Sequence, residues 1–143
     1  MLAATSLRPG AARALGEALR IAATTGAALT ALHVRAAARR IPGREEQERV
    51  AIERVRRHVA DEAMAILRAT GRAQDVRCEV AEGPVAREIA RRAEELDADL
   101  IVIGAAARRR GLGALVPTLG DRLTPLAPCP VLTIPPGALD ARG

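Results

Sequence analysis

The chain has 143 residues, the length of one domain, and 49% of them are hydrophobic without any apolar run of membrane length. This balance predicts a packed globule and excludes a disordered or membrane-spanning protein. Phe, Tyr and Trp are absent, which removes every aromatic platform for stacking bases, while 22 basic residues, all arginine, give a net charge of +5 that permits attraction to anions.

The compartment is predicted from the N-terminus and the cysteines. The first residues lack the basic, apolar and small-residue order of a signal peptide, so a cytoplasmic location is expected. Cys78 and Cys129 have no metal-ligand spacing, and in a reducing compartment each is expected to be a small core residue. No metal site is predicted.

The first half of the chain alternates strand and helix patterns. Leu2 to Thr5 predicts a strand, and Ala11 to Thr24 predicts a helix that Gly26 ends. A second strand is expected from Ala27 to Val34. Beyond it, a long helix places apolar residues at spacings of three and four and stops at Gly71. These residues are Ile52, Val55, Val59, Ala63 and Ile66.

The second half continues the same alternation. From Val76 to Val80, apolar and charged residues alternate, which predicts an edge strand with one wet face. Gly83 and Pro84 open a helix in which Glu88 lies four residues before Arg92, the spacing of an ion pair. The inner side of this helix is expected to carry Val85, Ile89, Ala93 and Leu96.

The last elements define the fold class. Four aliphatic residues from Leu100 to Ile103 predict a strand buried on both faces. Pro117 and Thr118 can open a short helix that Pro125 shortens, and Val131 to Ile134 predicts the final strand. The inward residues expected on the short helix are Leu119, Leu123 and Leu126. The order βαβαβαβαβ predicts a doubly wound α/β fold.

The whole chain, residues 1–143, is expected to form a single domain with a short tail over residues 135–143. Two strings point to a known family. The string DADLIVIG from Asp97 to Gly104, followed by APCPVL from Ala127 to Leu132, resembles the carboxy-terminal half of universal stress proteins. The opening strand and the segment ALTALHV from Ala28 to Val34 fall at further landmarks of the family.

The resemblance implies a universal stress protein, or adenine nucleotide alpha hydrolase-like, fold. This fold is a five-stranded parallel sheet of order 3-2-1-4-5, with the ligand outside the carboxyl ends of strands one and four. That position is a topological switch point, where the loops diverge and open a crevice. The pattern-based prediction agrees, because it makes the third strand an edge and the fourth strand central.

ATP-binding members of the family carry a glycine, two residues, a glycine, nine residues, then glycine and Ser or Thr. Glycines let backbone N–H groups approach the phosphates. Aligned on this motif, Gly104 and Thr118 are kept. Ala107 replaces the second glycine and Pro117 replaces the third, so one position gains a methyl group and the other loses a donor. The resemblance therefore implies an eroded ATP motif.

Other family contacts are also altered. Ser6 stands where the family has an acidic residue for a ribose hydroxyl, and Gly120 stands where many members have a hydroxyl. Val34, whose backbone would meet the adenine, is kept. Arg108, Arg109 and Arg110 follow in the crevice loop. They either contact phosphate by charge-assisted bonds or form a solvated basic loop. Gly104, Thr118 and Ser6 likewise have turn or capping interpretations that need no ligand.

No catalytic residue is predicted. His33 and His58 have no nucleophile and acid in a recognisable pattern, and the nucleophile-elbow, P-loop and Rossmann fingerprints are missing. The leading hypothesis is a non-enzymatic stress-response or regulatory module with an unidentified protein client and weak or absent ATP binding. The alternatives are an ATP–Mg²⁺-binding protein with slow hydrolysis and a basic surface for nucleic acid, although sequence-specific nucleic-acid binding is not expected.

The last strand predicts an assembly. Val131, Leu132, Thr133 and Ile134 form an outer strand without a charge to discourage pairing. The resemblance implies a homodimer in which the last strands of two copies pair antiparallel across a two-fold axis. The alternative is that the tail, residues 135–143, covers this edge.

Overall fold

The computed structural model describes residues 1–8, 11–105 and 116–137. Strands and helices alternate along these residues, as the periodicity predicts. The strands are β1 (Leu2–Thr5), β2 (Leu29–Arg35), β3 (Val76–Glu82), β4 (Ile101–Gly104) and β5 (Val131–Ile134). The helices are α1 (Ala11–Thr25), α2 (Glu45–Thr70), α3 (Val85–Glu95) and α4 (Leu119–Leu123).

The five strands form one parallel sheet of order β3-β2-β1-β4-β5. Leu2 lies in the middle of the sheet, opposite Thr30 of β2 and Ile101 of β4. Strands β3 and β5 are the two edges, and the order 3-2-1-4-5 that the resemblance implies is confirmed. A doubly wound α/β architecture is therefore established for this chain.

Two hydrophobic clusters lie on opposite faces of the sheet. One face contacts α1 and α2 through residues such as Leu15 and Val59. The other face contacts α3 and α4 through Ile89 and Leu123. Successive strand residues alternate between the faces, because a strand has a side-chain period of two. The central strand β4 has Ile101, Val102 and Ile103 at most 1% exposed, which confirms that both of its faces are covered.

The hydrophobic core of the described residues is built from aliphatic side chains, since the chain has no aromatic residue. Alanines fill much of the contact between α1 and the sheet, where large side chains would hold the layers apart. Those with at most 3% exposure are Ala3, Ala14, Ala18, Ala22 and Ala31. Cys78 and Cys129 are half-buried against the two clusters, and burial raises the pKa of both thiols.

The helix ends are set by local chemistry. Gly26 (φ 72°) and Gly71 (φ 66°) are in the left-handed region where glycine is favoured, and they follow α1 and α2 as predicted. The long helix α2 has Val59, Ala63 and Leu67 buried on its inner face. Within the described ranges, no helix is long and apolar enough to cross a membrane.

Three details of the sequence prediction are wrong. The second strand begins at Leu29 instead of Ala27. Val85, predicted to be inward, is 37% exposed because it is the first residue of α3, whose buried residues begin at Ala86. Leu126, also predicted to be inward, is 48% exposed. It follows Pro125 and lies beyond the end of α4, so it leaves the helical stripe that buries Leu123.

Candidate functional site

The crevice lies at the carboxyl ends of β1 and β4. These strands are neighbours, but the chain leaves β1 for α1 on one face and leaves β4 for α4 on the other. Their connections therefore diverge at the switch point of the sheet, where open α/β proteins bind ligands. Ser6 directly follows β1, and Gly104 is the last residue of β4.

Gly104 is not required by the packing of the described residues. Its φ lies outside the left-handed region, and an added Cβ would meet only the Cβ of Ala14, at 3.6 Å, an ordinary van der Waals contact. Backbone strain therefore does not explain the glycine. Gly104 is exposed at the end of β4.

Thr118 is the N-cap of α4 and is engaged by Asp121. The Thr118 N–H and hydroxyl both donate to Oδ2 of Asp121, each at 2.9 Å. The Asp121 N–H donates back to Thr118 Oγ1 at 3.2 Å, which completes a capping box. A carboxylate of the chain itself therefore occupies both donors of Thr118.

Asp121 is a residue of the candidate site that was not predicted from the sequence. The signal was available, because Thr118 and Asp121 have the T-x-x-D spacing of a capping box ahead of a short apolar helix. The neighbouring Pro117 is exposed and has no N–H to donate. At Gly120, an added Cβ would be 3.6 Å from Thr133 Oγ1 and 3.7 Å from Thr118 Oγ1, so the position also has room for a side chain.

Ser6 is exposed and takes part in a local turn. Its Oγ accepts a hydrogen bond from the Arg8 N–H at 3.4 Å. On the preceding residue, the Thr5 carbonyl accepts from Nδ1 of His33 at 3.1 Å, and since a carbonyl only accepts, this nitrogen carries the proton. His33 is therefore a structural residue that ties β2 to the end of β1.

The carboxyl end of β2 is held by ion pairs. Val34 is half-buried and contacts the cluster on the α3 and α4 face. The next residue, Arg35, donates from Nη2 to Glu48 of α2 at 3.0 Å. Its Nη1 is buried without a hydrogen bond to any described residue and lies 3.7 Å from Glu82 of β3. The ion pairs of Arg35 with Glu48 and Glu82 hold the first turn of α2 against the end of the sheet beside the crevice.

Some predicted site residues lie outside the described residues. Ala107, Arg108, Arg109 and Arg110 fall in the segment 106–115, which is not among the described residues. Within residues 1–8, 11–105 and 116–137, no three His, Cys, Asp or Glu side chains are grouped so as to hold a metal ion. The structure brings Ser6, Val34, Gly104 and Thr118 to the carboxyl side of the sheet.

The strand order and the crevice define a doubly wound protein of the adenine nucleotide alpha hydrolase-like class. Within that class the family is shown by its sequence model, since the model of the universal stress protein family matches residues 1–135. The chain belongs to the universal stress protein family.

Solved structures agree with this assignment. A universal stress protein from Burkholderia pseudomallei is 32% identical, with 94% of each chain covered and a TM-score of 0.64. UspA from Lactobacillus plantarum is 23% identical, covers 93% of this chain and 95% of its own, and has a TM-score of 0.61. A universal stress protein in complex with cAMP is 20% identical, with 94% and 96% covered and a TM-score of 0.70. No curated protein matches the chain.

Proposed function

We propose that this chain is a homodimeric stress-response or regulatory module that binds ATP weakly or not at all. The observation that carries the proposal is the Thr118–Asp121 capping box, in which one carboxylate accepts hydrogen bonds from both the N–H and the hydroxyl of Thr118. A phosphate at Thr118 must displace this carboxylate and would meet its negative charge at short range. Pro117 offers no backbone donor to replace those that are occupied.

Titration calorimetry with ATP and Mg²⁺ tests the proposal. Wild-type protein should give little heat, and Asp121→Ala should bind ATP more tightly, because the donors of Thr118 become available and a negative charge is removed. The variant loses half of a capping box, which costs about 1 kcal/mol, so it should remain folded. Asp61→Ala is the matched control, because Asp61 is exposed on α2 and the variant loses the same charge.

The outcomes separate the possibilities. Tight ATP binding by the wild type would overturn the proposal. Equal affinities for Asp121→Ala and Asp61→Ala would show that the capping box does not limit binding. The triple variant Ser6→Asp, Ala107→Gly and Pro117→Gly, which rebuilds the family pattern, should also gain affinity if the altered positions are responsible.

The second candidate is a nucleotide-binding protein with slow hydrolysis. Two observations favour it: one structural relative is a complex with cAMP, and the packing of the described residues does not require Gly104 to be glycine. A cyclic monophosphate carries one negative charge, so it would be repelled by Asp121 less than a triphosphate. Titration with cAMP distinguishes this candidate from a module that binds no nucleotide. The nucleotide-binding candidate predicts saturable cAMP binding that Gly104→Val abolishes.

The homodimer is supported by the open edge of β5. Among the described residues, β5 pairs only with β4, so one side of its backbone has no ladder partner. Leu132 is 38% exposed on this strand and Thr133 is also exposed. An uncharged, partly apolar edge favours pairing with another chain, and a second copy across a two-fold axis would satisfy it.

A further inference from the structure

A groove of about 310 Å³ lies between α1 and α2, away from the crevice. It is formed by the side of α1 that carries Arg13 and Arg20, seven residues apart and therefore on one face. The end of α2 and the residue after its C-cap form the other wall. The lining residues are Arg13, Gly16, Glu17, Leu19, Arg20, Ile66, Thr70 and Arg72.

The rim of this groove is basic. Three arginines, Arg13, Arg20 and Arg72, line the groove together with one acidic residue, Glu17, so the excess is two positive charges. Glu17 pairs with Arg20 at 2.9 Å. The Nη1 of Arg72 donates to the backbone carbonyl of Arg20, at 3.3 Å. Arg13 has no ion pair within the described part of the chain, so two guanidinium groups have no carboxylate partner there.

The floor of the groove is apolar. Leu19 and Ile66 belong to the interface between the two helices and the sheet. Gly16 has no side chain, and a Cβ built there would be 4.0 Å from Cγ2 of Ile66, its nearest neighbour. The hydroxyl of Thr70 is turned to its own helix, where it donates to the Ile66 carbonyl at 2.9 Å. The floor therefore has little to offer a polar ligand.

We propose that this groove binds a small amphiphilic anion, with a carboxylate among the arginines and a short alkyl body on the floor. The volume is at the lower end of the range for small-molecule sites. Charge selects the head, because arginine pairs with carboxylate through two parallel hydrogen bonds. The apolar floor selects the body, because only an alkyl chain gains free energy by covering it. A bare phosphate or a nucleic-acid backbone would leave the apolar floor exposed to water.

Octanoate, 1-octanol and inorganic phosphate test the two halves of the ligand separately. In ¹H–¹⁵N NMR titrations, octanoate should shift the amides of Gly16, Thr70 and Arg72 and saturate with a Kd on the order of 1 mM. 1-Octanol should bind about tenfold more weakly, because it lacks the charge. Phosphate should not saturate these shifts. Equal binding of octanol and octanoate, or of phosphate and octanoate, overturns the proposal.

Variants test the assignment of residues. Arg13→Gln and Arg72→Gln should each weaken octanoate binding about threefold or more, as expected for exposed ion pairs. Arg87→Gln is the control, since Arg87 is exposed on α3 across the sheet and the variant loses the same charge. Gly16→Leu should abolish binding by filling the floor, with folding verified by thermal unfolding. Equal effects of all three arginine variants, or displacement of octanoate by short duplex DNA, would contradict the proposal.

Discussion

Arg92 of α3 takes its main partner from the sheet. Its Nε and Nη2 donate to the two carboxylate oxygens of Glu79 on β3, at 2.5 and 2.6 Å. The sequence placed Glu88 four residues before Arg92, yet Glu88 pairs with Arg91 at 2.7 Å. A spacing along a helix identifies neighbours on the same helix, but it does not reveal a strand that approaches from outside. The bidentate ion pair between Arg92 and Glu79 is partly shielded from solvent, because both side chains are less than a quarter exposed.

The Glu79–Arg92 pair should make stability depend on pH. The hydrogen bonds from Arg92 lower the pKa of Glu79 in the folded state. A lowered folded pKa contributes stability above the unfolded value, about 4.3, and this contribution is lost as the pH falls through the folded value. The unfolding free energy of the wild type should therefore decrease below about pH 4. Glu79→Gln should be about 1 kcal/mol less stable near pH 7 and less sensitive to acid.

Urea unfolding at pH 7, 4 and 3 measures this effect. Glu94→Gln is the matched control, because Glu94 is exposed on α3 and has no ion pair in the described part of the chain. The difference between Glu79→Gln and the wild type should shrink in acid. Parallel pH profiles for all three proteins would show that the pair does not contribute.

At the scale of elements, the periodic patterns predicted the nine strands and helices found in residues 1–8, 11–105 and 116–137. The pattern succeeds where one face is buried by a single neighbour, as along α1, where Leu15, Ala18 and Leu19 are buried. It fails at element ends, where Val85 and Leu126 project beyond the cover of the sheet. The position of the crevice follows from the predicted strand order, which is confirmed. The occupation of the Thr118 donors by Asp121 depends on the geometry of one turn, which the periodic patterns do not describe.

Two helix glycines should respond in opposite ways to alanine. Gly16 lies inside α1 and has room for a methyl group, with Ile66 Cγ2 at 4.0 Å. Gly16→Ala should raise the free energy of unfolding by about 0.5–1 kcal/mol, because glycine loses more backbone entropy in a helix. Gly71→Ala should lower it by about 1 kcal/mol, because the C-cap of α2 has φ 66°.

Chemical denaturation measures both variants, and the denaturant dependence of the free energy should stay unchanged if only stability has moved. A destabilised Gly16→Ala would mean that the helices α1 and α2 cannot accommodate the methyl group. A neutral Gly71→Ala would mean that α2 can end without a left-handed residue.

At the scale of the whole molecule, the two sheet edges differ. Strand β3 carries Arg77, Glu79 and Glu82, and such charges discourage pairing. Strand β5 carries none. Its hydrogen bonds to β4 use the carbonyls of Pro130 and Ile134, which accept from Ile101 and Ala105 at 3.0 and 2.8 Å. Since strand groups alternate in direction, the backbone N–H of Thr133 points to the open side.

Thr133→Pro should therefore weaken the proposed dimer without removing a hydrogen bond between β4 and β5. Light scattering after size exclusion should give about twice 15.0 kDa for the wild type and a smaller mass for the variant. Leu132→Lys should also shift the mass toward the monomer by placing a charge on the exposed edge. Thr133→Val, which keeps the backbone N–H, is the control. A proline at Thr24 would not serve, because Thr24 lies in a helix. A monomeric wild type, or a Thr133→Pro variant that stays dimeric, would rule out this interface.

The net charge of +5 should give only weak, sequence-independent attraction to nucleic acid. Many arginines are already neutralised by glutamates one helical turn away, as in the pairs Arg49–Glu46 and Arg56–Glu53, both at 2.6 Å. Fluorescence anisotropy with a short DNA duplex should show binding at low salt that disappears at physiological salt. Binding that survives physiological salt and differs between sequences would contradict this prediction.

The Asp121 carboxylate can also be described as a tethered competitor. It is three residues from Thr118, and a group on so short a tether has an effective concentration of at least millimolar order. An anion from solution therefore competes with the Asp121 carboxylate, whose local concentration does not change when the protein is diluted. For an anion whose intrinsic affinity for the Thr118 donors equals that of the Asp121 carboxylate, micromolar concentrations would leave the capping box closed and only millimolar concentrations would compete with it. The capping box would then set a concentration threshold for this end of the sheet.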